Sequence, residues 1–555
     1  MPKANTSLTK LIEKRLNGSR LFYVCRNLER AVALGKIKGC FIITNYCPSS
    51  AILAKGLPNV IFIKGKTILD TRDLLNHPRV KTTIRHNDYI IVFKNTHELT
   101  KICLDNNWRL LNPPAALSNT VEEKISQVEW LGNLGKFLPP HRILKCGTIK
   151  WQGKKFILQF NRAHTGAGTF LIVNKTQLAE LQTKFPERPA RVTKYINGPF
   201  FTNNNVVWNN AVLTGNISYQ ITGLKPFTDN PFATIGNDWA LPGKILTATQ
   251  TKQFLRIATA VGQKLAKSGW RGLFGIDAAL DTKTGKIFLI EINCRQPASA
   301  SWESELQKNK TGIDTFTAHL AALLGIKNNN YKLIKINDGA QIILRNQIGQ
   351  AKIDTQSPKF KQGLSAFFRQ TGYKIINYKN DKPGSDLIRF QIRDAIMSKD
   401  NELNKHGHLI VDFTHSLKHG NIWNSKRAGI LVIKTDRLLV MVRNKFGNKY
   451  MIIPAGSKEP GETIENTAVR ETKEETGLTV TIDKTKPPIY LRLPRQEYYF
   501  FPKTITGKVK LGGPEEQYNN KDDSYQLAWI NLKNLPKTNL KPEALKNILI
   551  KQYLR

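Results

Sequence analysis

The chain has 555 residues, too many for a single hydrophobic core, so we expect three or four domains. With 40% hydrophobic and 9% aromatic residues its composition is that of a globular protein, and no apolar run reaches the roughly 18–20 residues of a membrane span. The first residues lack the apolar stretch of a signal peptide, so the sequence predicts a cytoplasmic protein without a membrane partner. The six cysteines lack metal-ligand spacing, and we expect them to be reduced and buried.

The chain is strongly basic, with 84 Lys and Arg against 42 Asp and Glu and a net charge of +42. Such a charge is typical of proteins that bind nucleic acid through its phosphates. A genome-wide bias toward Lys, Asn and Ile explains the same excess. The positive residues are spread along the chain and form no basic arm, which favours the compositional explanation over a nucleic-acid partner.

Short apolar runs alternate with helix-like segments in the first 115 residues. This alternation predicts a Rossmann-like α/β domain over 18–115 with a parallel sheet. The predicted strands are Leu21–Val24, Phe41–Thr44, Val60–Ile63, Tyr89–Phe93 and Arg109–Leu111.

A second domain is predicted over 116–330, where hairpins are mixed with helices. It begins with a predicted helix at Val121–Leu134, and a second helix is expected at Thr249–Ser268. The predicted strands are Phe156–Phe160, Phe170–Val173, Phe274–Leu280 and Ile287–Ile292.

Residues 331–424 are interpreted as an extension of the second domain followed by a connector, and residues 425–555 as the last domain. In the extension, Gly339–Arg345 is predicted as a strand, and Ser357–Gly363 and Asn377–Gly384 as polar loops. In the last domain, Ala428–Ile433 and Leu438–Val442 are predicted to pair as strands. Later strands are expected at Trp529–Ile530 and at the aromatic run 498–501.

The last domain contains an unusual concentration of glutamates in the segment GSKEPGETIENTAVRETKEETGL, residues 456–478. Good helix formers predict a helix from Thr463 to Thr476, ended by Gly477 as a left-handed cap. On it Glu471, Glu474 and Glu475 share one face, where their charges repel unless a divalent cation binds. Arg470 is well placed to hold Glu462 by a forked ion pair.

This segment resembles the Nudix box, GX5EX7REUXEEXGU with U aliphatic, and departs from it only at Thr472, which stands at the first U. The resemblance implies an α/β/α sandwich that hydrolyses nucleoside diphosphates linked to another group X. It also implies Mg²⁺ or Mn²⁺ held by Glu471, Glu474, Glu475 and the carbonyl of Gly456, with Arg470 in the catalytic set. A further acidic residue is expected from a later loop, and the candidates are Glu515, Glu516, Asp522 and Asp523.

A second set of polar residues lies in FGIDAALDTKTGKIFLIEINCRQPAS, residues 274–299. Glu291 and Asn293 are two apart on a predicted strand and so share a face, and Asp277 lies on the neighbouring strand. Together they offer an oxygen-rich site suited to Mg²⁺. Arg295 continues the same face and can bind a phosphate or a carboxylate.

Upstream lies a loop of small residues between two predicted strands, and then a candidate hinge. The order resembles the ATP-grasp superfamily, in its biotin-carboxylase branch. The resemblance implies ATP and Mg²⁺ as cofactors, and a carboxylate that takes the γ-phosphoryl group before a nucleophile attacks it. It also implies a phosphate-binding loop and an adenine-binding hinge, which here are Thr165, Gly166, Ala167, Gly168 and Thr169, and Thr193, Lys194, Tyr195 and Ile196, respectively.

The sequence departs from the ATP-grasp pattern at two nucleotide-binding positions. Gln159 stands where the strand before the loop usually carries a lysine, and Thr193 stands at the usual acidic hinge position. Lys145 is the candidate for the other phosphate-contacting lysine, and Lys155 or Arg162 can compensate for Gln159.

The leading hypothesis is an ATP-grasp ligase-like unit fused to a Nudix hydrolase. In the alternative, the ATP-grasp half binds nucleotide without catalysis; a third hypothesis, a nucleic-acid binder, depends on charge alone. A zinc site among His406, His408, His415 and His419 is not favoured, because their spacing matches no usual pattern.

Overall fold

The structure is a computed structural model in which two compact units are defined. The first unit comprises residues 1–350 and 373–408, and the second comprises residues 351–372 and 409–555. No helix of the described ranges is both long and apolar enough to cross a membrane. The described ranges are 4–35, 37–161, 168–308, 311–346, 357–378, 384–418, 426–445, 448–459, 462–491, 496–513, 516 and 523–554.

The first unit begins with the predicted parallel sheet. Its five strands, in spatial order, are Val60–Ile63, Cys40–Asn45, Leu21–Val24, Tyr89–Val92 and Arg109–Leu110. Alternate residues of the central strand pack into two separate apolar clusters, which explains why its apolar run is continuous. The helices of this region are Ala4–Leu16, Pro48–Leu53, Thr71–Asn76, Pro78–Thr83 and His97–Asp105, with short 3-10 turns at Leu28–Arg30 and Val32–Leu34.

The prediction of one continuous helix over Val121–Leu134 is wrong, because the chain leaves the helical conformation within this segment. Helix Ala115–Glu122 ends, Glu123 takes an extended conformation, and a new helix runs over Ser126–Leu131 before the 3-10 turn Gly132–Phe137. The Glu123 carboxylate accepts a hydrogen bond from Asn161 Nδ2 at 2.7 Å. This tertiary contact accompanies a break that helix propensity alone does not predict.

A four-stranded antiparallel sheet follows, with its own apolar cluster on one side. Its strands, in spatial order, are His141–Lys145, Pro189–Lys194, Phe156–Phe160 and Thr169–Ile172, accompanied by the 3-10 turn Cys146–Thr148 and the helix Lys175–Lys184.

A nine-stranded sheet forms the rest of the first unit. It includes the predicted hairpin and the predicted strand near residue 340, which the structure confirms as Ala340–Arg345. Its path is Ile287–Asn293, Gly272–Leu280, Phe200–Trp208, Ser218–Thr222, Thr234–Asp238, Ala340–Arg345, Asp386–Ile392 and Lys374–Asn377, with Ala211–Leu213 beside Phe200–Trp208. The helices are Pro242–Ile245, Ala248–Lys267, Ala300–Gln307 and Thr315–Leu323, and a small hairpin joins Met397–Lys399 to Glu402–Leu403.

The prediction of a polar loop at Ser357–Gly363 is wrong, because a helix spans Pro358–Thr371. Ser357 Oγ accepts the Phe360 N–H, Pro358 occupies the first turn, and Gly372 ends the helix with φ 69°. Phe367 of this helix stacks on Phe413 of the helix Lys405–Lys418 in the second unit. At the second predicted loop, Asn377 ends a strand, and residues 379–383 lie outside the described residues.

The second unit is built on a mixed sheet system with a helix packed on each side, as the α/β/α prediction requires. Leu545 and Leu549 of helix Glu543–Tyr553 join one apolar cluster, and Ala468 of helix Ile464–Thr476 joins the other. The strands are Arg427–Ile430, Ile433–Lys434, Arg437–Lys445, Asn448–Ile452, Ala455–Ser457, Thr479–Ile482, Ile489–Leu491, Glu497–Phe500, Pro502–Thr506, Asp523–Asn531 and Leu540–Lys541, with a 3-10 turn at Leu532–Lys537.

Strand pairing in this unit differs from the prediction at its first strand. Arg427–Ile430 pairs with Ala455–Ser457 and Glu497–Phe500, and only Ile433–Lys434 pairs with the strand that begins at Arg437. The sequence shows two apolar runs near each other, but it does not show that the first run bridges to strands much later in the chain. The late strands near 498–501 and 529–530 are confirmed.

Candidate functional site

The glutamate-rich helix of the second unit has the predicted caps. Thr463 Oγ1 accepts the Asn466 N–H, helix Ile464–Thr476 follows, and Gly477 closes it with φ 72°. Ala468 and Thr472 are buried against the sheet. Burial of this face fixes the rotation of the helix and turns the arginine and glutamate side chains toward strand Ala455–Ser457.

Arg470 is the centre of the hydrogen-bond network in this helix. Its Nε and Nη2 donate to the two carboxylate oxygens of Glu462 at 2.9 and 3.1 Å, and Nη1 donates to Glu471 at 2.8 Å and Glu474 at 3.1 Å. Nη2 also reaches the carbonyl of Ser457 at 3.1 Å. The hydrogen bonds from Arg470 lower the pKa of Glu462 to about 2, so Glu462 is a fixed anion that anchors the arginine.

The carboxylate of Glu471 lies directly over the backbone of Gly456. A Cβ atom on Gly456 would overlap with the carboxyl group, so this position accepts only glycine while Glu471 keeps its place. Burial raises the pKa of Glu471, although the charge of Arg470 opposes this effect. The Glu471 carboxylate is therefore held against Gly456, the residue whose carbonyl is the further predicted metal ligand.

The remaining two glutamates differ in their surroundings. The Glu474 side chain is 46% exposed, whereas Glu475 is buried, within electrostatic range of Arg427. The carboxylate oxygens of these glutamates are hard ligands, the type that Mg²⁺ and Mn²⁺ prefer. The group therefore fits a divalent cation, with Glu471, Glu474 and Glu475 as the carboxylates that would hold it.

Among the residues that the structure describes, no three His, Cys, Asp or Glu side chains surround a single point. In the second unit the Arg470 guanidinium lies between Glu471 and Glu474. Of the predicted later acidic residues, Glu516 is exposed, the side chain of Asp523 is not described, and Glu515 and Asp522 lie outside the described residues.

In the first unit the structure brings together Asp277, Glu291 and Asn293. Asp277 is the cross-strand partner of Glu291, and Asn293 Nδ2 donates to Asp277 Oδ2 at 3.2 Å. Burial and then the charge of Glu291 raise the pKa of Asp277 to about 6. Oxygen donors on adjacent strands are the ligands that Mg²⁺ prefers, so these residues fit the implied metal.

Sequence reasoning missed Lys124, which lies in the break between the two short helices. Its Nζ is 3.1 Å from Glu291 Oε1. Burial opposes the ionisation of Glu291, but Lys124 and Arg295 outweigh it and hold the pKa of this carboxyl below its usual value. The available signal was the charged run Glu122–Lys124, where one lysine follows two glutamates inside an apparent helix.

Arg295 is also held beside this cluster. Its Nη1 donates to Glu122 Oε1 at 2.5 Å, and Lys94 Nζ is 2.5 Å from the other oxygen of the same carboxylate. The Arg295 side chain remains 27% exposed. Arg295 and Lys124 therefore both act on Glu291, and Arg295 does so from a partly open position.

Gln159 stands where the ATP-grasp pattern usually has a lysine, and its side-chain amide accepts hydrogen bonds from a buried arginine. Arg191 Nε and Nη2 donate to Gln159 Oε1 at 3.0 and 2.7 Å, and Nη1 donates to Gln127 Oε1 at 3.1 Å. Burial lowers the pKa of Arg191 to about 10, and the charge of Glu291 counteracts this. The missed signal was a charged residue between the apolar Ala190 and Val192, on the same strand face as Thr193.

The other nucleotide-binding candidates are distributed around this sheet. Thr193 is buried opposite Ile157, Lys194 Nζ is 3.0 Å from Asp281, and Lys155 lies over the ring of Tyr195 at 4.1 Å. Ile196 is buried. In the loop, the carbonyl of Gly168 accepts the Phe160 N–H, and Thr169 Oγ1 accepts a hydrogen bond from Gln159 Nε2. Lys145 forms an ion pair with Glu187 at the surface. Arg162, Thr165, Gly166 and Ala167 lie outside the described residues.

Among the described residues, the cysteines and histidines form no metal cluster. All six cysteines are free thiols; five are buried, as predicted, whereas Cys47 is only half-buried. His406 Nδ1 forms a 2.6 Å hydrogen bond with the Tyr373 hydroxyl, and His419 lies outside the described residues.

The two units resemble different known proteins. The sequence model of the NUDIX domain family matches residues 423–549. An ADP-ribose pyrophosphatase from Methanocaldococcus jannaschii is 32% identical over 133 residues, which cover 22% of this chain and 70% of that protein.

Solved structures of ATP-grasp ligases match the larger part of the chain. An Aspergillus clavatus carboxyaminoimidazole ribonucleotide synthase solved with ATP has a TM-score of 0.50 and 15% identity, over 72% of this chain and 99% of its own. The same kind of enzyme with ADP and 5-aminoimidazole ribonucleotide gives 0.51 and 16%, over 72% and 99%. An L-amino acid ligase from Bacillus licheniformis gives 0.50 and 14%, over 72% and 96%. These similarities show that the N-terminal region has an ATP-grasp-like fold.

Proposed function

The chain belongs to the Nudix family through its C-terminal region, and from that premise we propose that the second unit hydrolyses a nucleoside diphosphate linked to a second group. The carboxylates of Glu471, Glu474 and Glu475 and the carbonyl of Gly456 would hold divalent cations. Such cations neutralise the diphosphate and lower the pKa of a bound water, which is the chemistry they supply in hydrolases.

The protein's own residues position these ligands. Glu462 anchors Arg470, and Arg470 in turn orients Glu471 and Glu474. The single observation that carries the proposal is the position of the Glu471 carboxylate directly over Gly456, which puts two of the residues that would hold the cations in contact.

The relative from Methanocaldococcus jannaschii makes ADP-ribose the first substrate to test. In the reaction a water oxygen forms a bond to one phosphorus, and the bond from that phosphorus to the bridging oxygen breaks. Water supplies the new oxygen and loses a proton, and the products are AMP and ribose 5-phosphate.

For the first unit we propose ATP-dependent activation of a carboxylate. A carboxylate oxygen of the substrate bonds to the γ-phosphorus of ATP, the bond to the β-phosphate oxygen breaks, and ADP leaves. A nucleophile then attacks the carbonyl carbon of the acyl phosphate, phosphate leaves, and the nucleophile loses a proton.

The arrangement of cations supports this proposal. Lys124, Arg191 and Arg295 surround Glu291, and Glu291 and Asp277 would hold Mg²⁺. Phosphoryl transfer needs mainly charge neutralisation and positioning, which these residues provide.

A second candidate, a nucleotide-binding half without turnover, is favoured by one observation. The arginine nearest the usual lysine position is buried and already bonded to two glutamines. Under this alternative the first unit binds ATP and regulates the second.

Both proposals can be tested by ³¹P NMR on the full chain with Mg²⁺. We expect conversion of ADP-ribose to AMP and ribose 5-phosphate, and loss of this activity in Glu474→Gln/Glu475→Gln. The matched control is Glu465→Gln, an exposed residue of the same helix, which should retain the activity. Activity that survives the double substitution would contradict the Nudix assignment of these residues.

In the same glutamine variant, ADP and phosphate formed from ATP would report on the first unit alone. Formation that requires an added carboxylate supports the ligase proposal. ATP binding without formation of ADP supports the regulatory alternative.

A further inference from the structure

One face of the nine-stranded sheet carries a continuous row of polar side chains. Residues directly opposite each other on neighbouring strands share a face. The strand registers place Gln220 beside Asn237, Asn237 beside Gln341, Gln341 beside Gln391, and Gln391 beside Lys374. All but Lys374 are buried, so the sheet keeps an amide-lined surface in its interior.

The same face includes the candidate metal ligand Asp277. Asp277 lies opposite Thr202, Thr202 lies opposite Ser218, and Ser218 precedes Gln220 by two residues. Further along the row, Arg389 Nη1 donates to the carbonyl of Ala298 at 3.3 Å, three residues beyond Arg295. The polar row therefore reaches the proposed ATP site at Asp277, and Arg389 contacts the segment that follows Arg295.

Four buried polar atoms on or beside this face lack hydrogen-bond partners among the described residues: Trp239 Nε1, Trp302 Nε1, Arg389 Nε and Gln391 Oε1. Each of the four residues is at most 4% exposed. Folded proteins rarely leave such groups unpaired, because each costs free energy comparable to a lost hydrogen bond. Three of the four atoms are donors, so the group that would satisfy them is rich in acceptors.

Trp302 belongs to the helix Ala300–Gln307, and Arg389 reaches the carbonyl of Ala298 just before this helix begins. Trp239 and Trp302 belong to one apolar cluster with Leu306, and Lys374 Nζ lies 5.9 Å from the centre of the Trp302 ring. Lys374 and Glu305 are partly exposed and form the rim. The region therefore combines buried amides and indoles with two partly exposed charged residues at its edge.

The charges that face Lys374 and Arg389 come from several elements, with Lys308 and Arg393 on the positive side and Glu29, Glu305 and Asp386 on the negative side. All three acids have partners. Glu305 pairs with Lys308, Glu29 accepts from the Tyr378 hydroxyl at 2.8 Å, and Asp386 lies 3.7 Å from both Arg389 and Arg345. With Arg345 included, five cations lie near three anions, so positive charge is in excess around Lys374 and Arg389.

We propose that this polar face binds the acceptor substrate of the first unit, and that this substrate carries a carboxylate or phosphate group whose oxygens accept hydrogen bonds from Arg389, Trp302 and Trp239. The inference rests on the proposed ATP-dependent activity. It adds the chemical class of the acceptor, an anion with oxygen acceptors, and the three residues that select it.

The test compares Trp302→Phe and Trp239→Phe with the unaltered full chain, with ATP and Mg²⁺ present. Two sets of acceptors are supplied, one of mono- and dicarboxylates and amino acids and one of sugar phosphates and inorganic phosphate. ADP formation is followed by ³¹P NMR. We expect a member of one set to stimulate ADP formation, and each substitution to raise its KM about tenfold while the KM for ATP stays the same.

A purely structural role for these indoles predicts a lower unfolding midpoint and an unchanged acceptor KM. Each Trp→Phe substitution removes ring atoms from a packed apolar cluster and so lowers the midpoint whatever the role of the N–H, and the acceptor KM therefore decides between the two roles. The matched control is Trp130→Phe, which removes an N–H bonded to Ser268 Oγ and should leave the acceptor KM unchanged. A lower unfolding midpoint with an unchanged acceptor KM would overturn the proposal.

The proposal also fails if no acceptor of either set stimulates ADP formation or raises the unfolding temperature of the full chain. In that case the polar face binds only water. Binding of a fluorescent ATP analogue, measured separately, distinguishes this result from failure of the ATP site. Lost ATP binding would contradict the proposed function, whereas intact ATP binding would contradict only the acceptor site.

Discussion

The carboxylate of Glu471 occupies the space directly over Gly456, where any side chain would overlap with it. This contact gives the first prediction. Gly456→Ala should displace Glu471 and weaken metal-dependent hydrolysis about 10–100-fold, the range usual for groups that orient metal ligands. Glu471 is a flexible side chain, so the midpoint of thermal unfolding should change little. Titration with Mn²⁺, followed by electron paramagnetic resonance, measures the affinity. Hydrolysis at the full rate in this variant would mean that the contact is not needed.

The second prediction concerns Glu303, which is buried in the first unit. It accepts hydrogen bonds from Asn204 Nδ2 and from Asn216 Nδ2, the latter at 2.8 Å. Burial raises its pKa to about 7 from 4.5. At a pH between these two pKa values, Glu303 is therefore protonated in the folded state and ionised in the unfolded state. Stability from this group is complete below pH 4.5 and decreases as the pH rises to about 7, by about 3 kcal/mol.

Glu303→Gln should flatten this part of the stability profile. Urea unfolding at several pH values measures it through tryptophan fluorescence, since seven of the nine tryptophans belong to the first unit. An equally steep decrease between pH 4.5 and 7 in the variant would show that another group is responsible.

The third prediction concerns the usual lysine position of the ATP-grasp pattern. Gln159→Lys should not improve nucleotide binding, because the new ammonium would lie beside the buried guanidinium of Arg191. Two like charges in this position should lower the free energy of unfolding by about 3 kcal/mol. The double variant Gln159→Lys/Arg191→Met removes the repulsion and should recover most of that loss. Chemical denaturation of the single and double variants makes the comparison, and a stable single variant would contradict the prediction.

The fourth prediction concerns Lys124 and its ion pair with Glu291. Lys124→Met removes the cation that competes with Mn²⁺, so Mn²⁺ should bind the first unit about tenfold more tightly without ATP. ATP should bind more weakly, because one phosphate-facing cation is lost. The measurement is made in the Glu474→Gln/Glu475→Gln background, which weakens the other metal site. Unchanged Mn²⁺ affinity would show that Lys124 does not compete with the metal.

Much of the fold was predictable because the relevant signals are local. The five apolar runs of the first sheet, the caps of helix Ile464–Thr476 and the hairpin of Asp277 and Glu291 follow from periodicity and capping. The glutamate helix was the most specific of these, since its residues stand at fixed spacings.

The errors arose where distant contacts decide the structure. The helix break at Glu123 is accompanied by a hydrogen bond from Asn161, and strand Arg427–Ile430 pairs with strands about 28 and 70 residues later in the chain. Lys124 and Arg191 were missed for the same reason. Each is unremarkable in its own segment, and only folding brings it near Glu291.

The path of the chain between the units has a consequence for its synthesis. The chain leaves the first unit after residue 350, contributes residues 351–372 to the second, and returns for residues 373–408. Two strands of the nine-stranded sheet, Asp386–Ile392 and Lys374–Asn377, therefore emerge from the ribosome after part of the second unit. A nascent chain released before that point would expose the edge strand Ala340–Arg345 to other chains. No single proteolytic cut between the units would yield both of them whole.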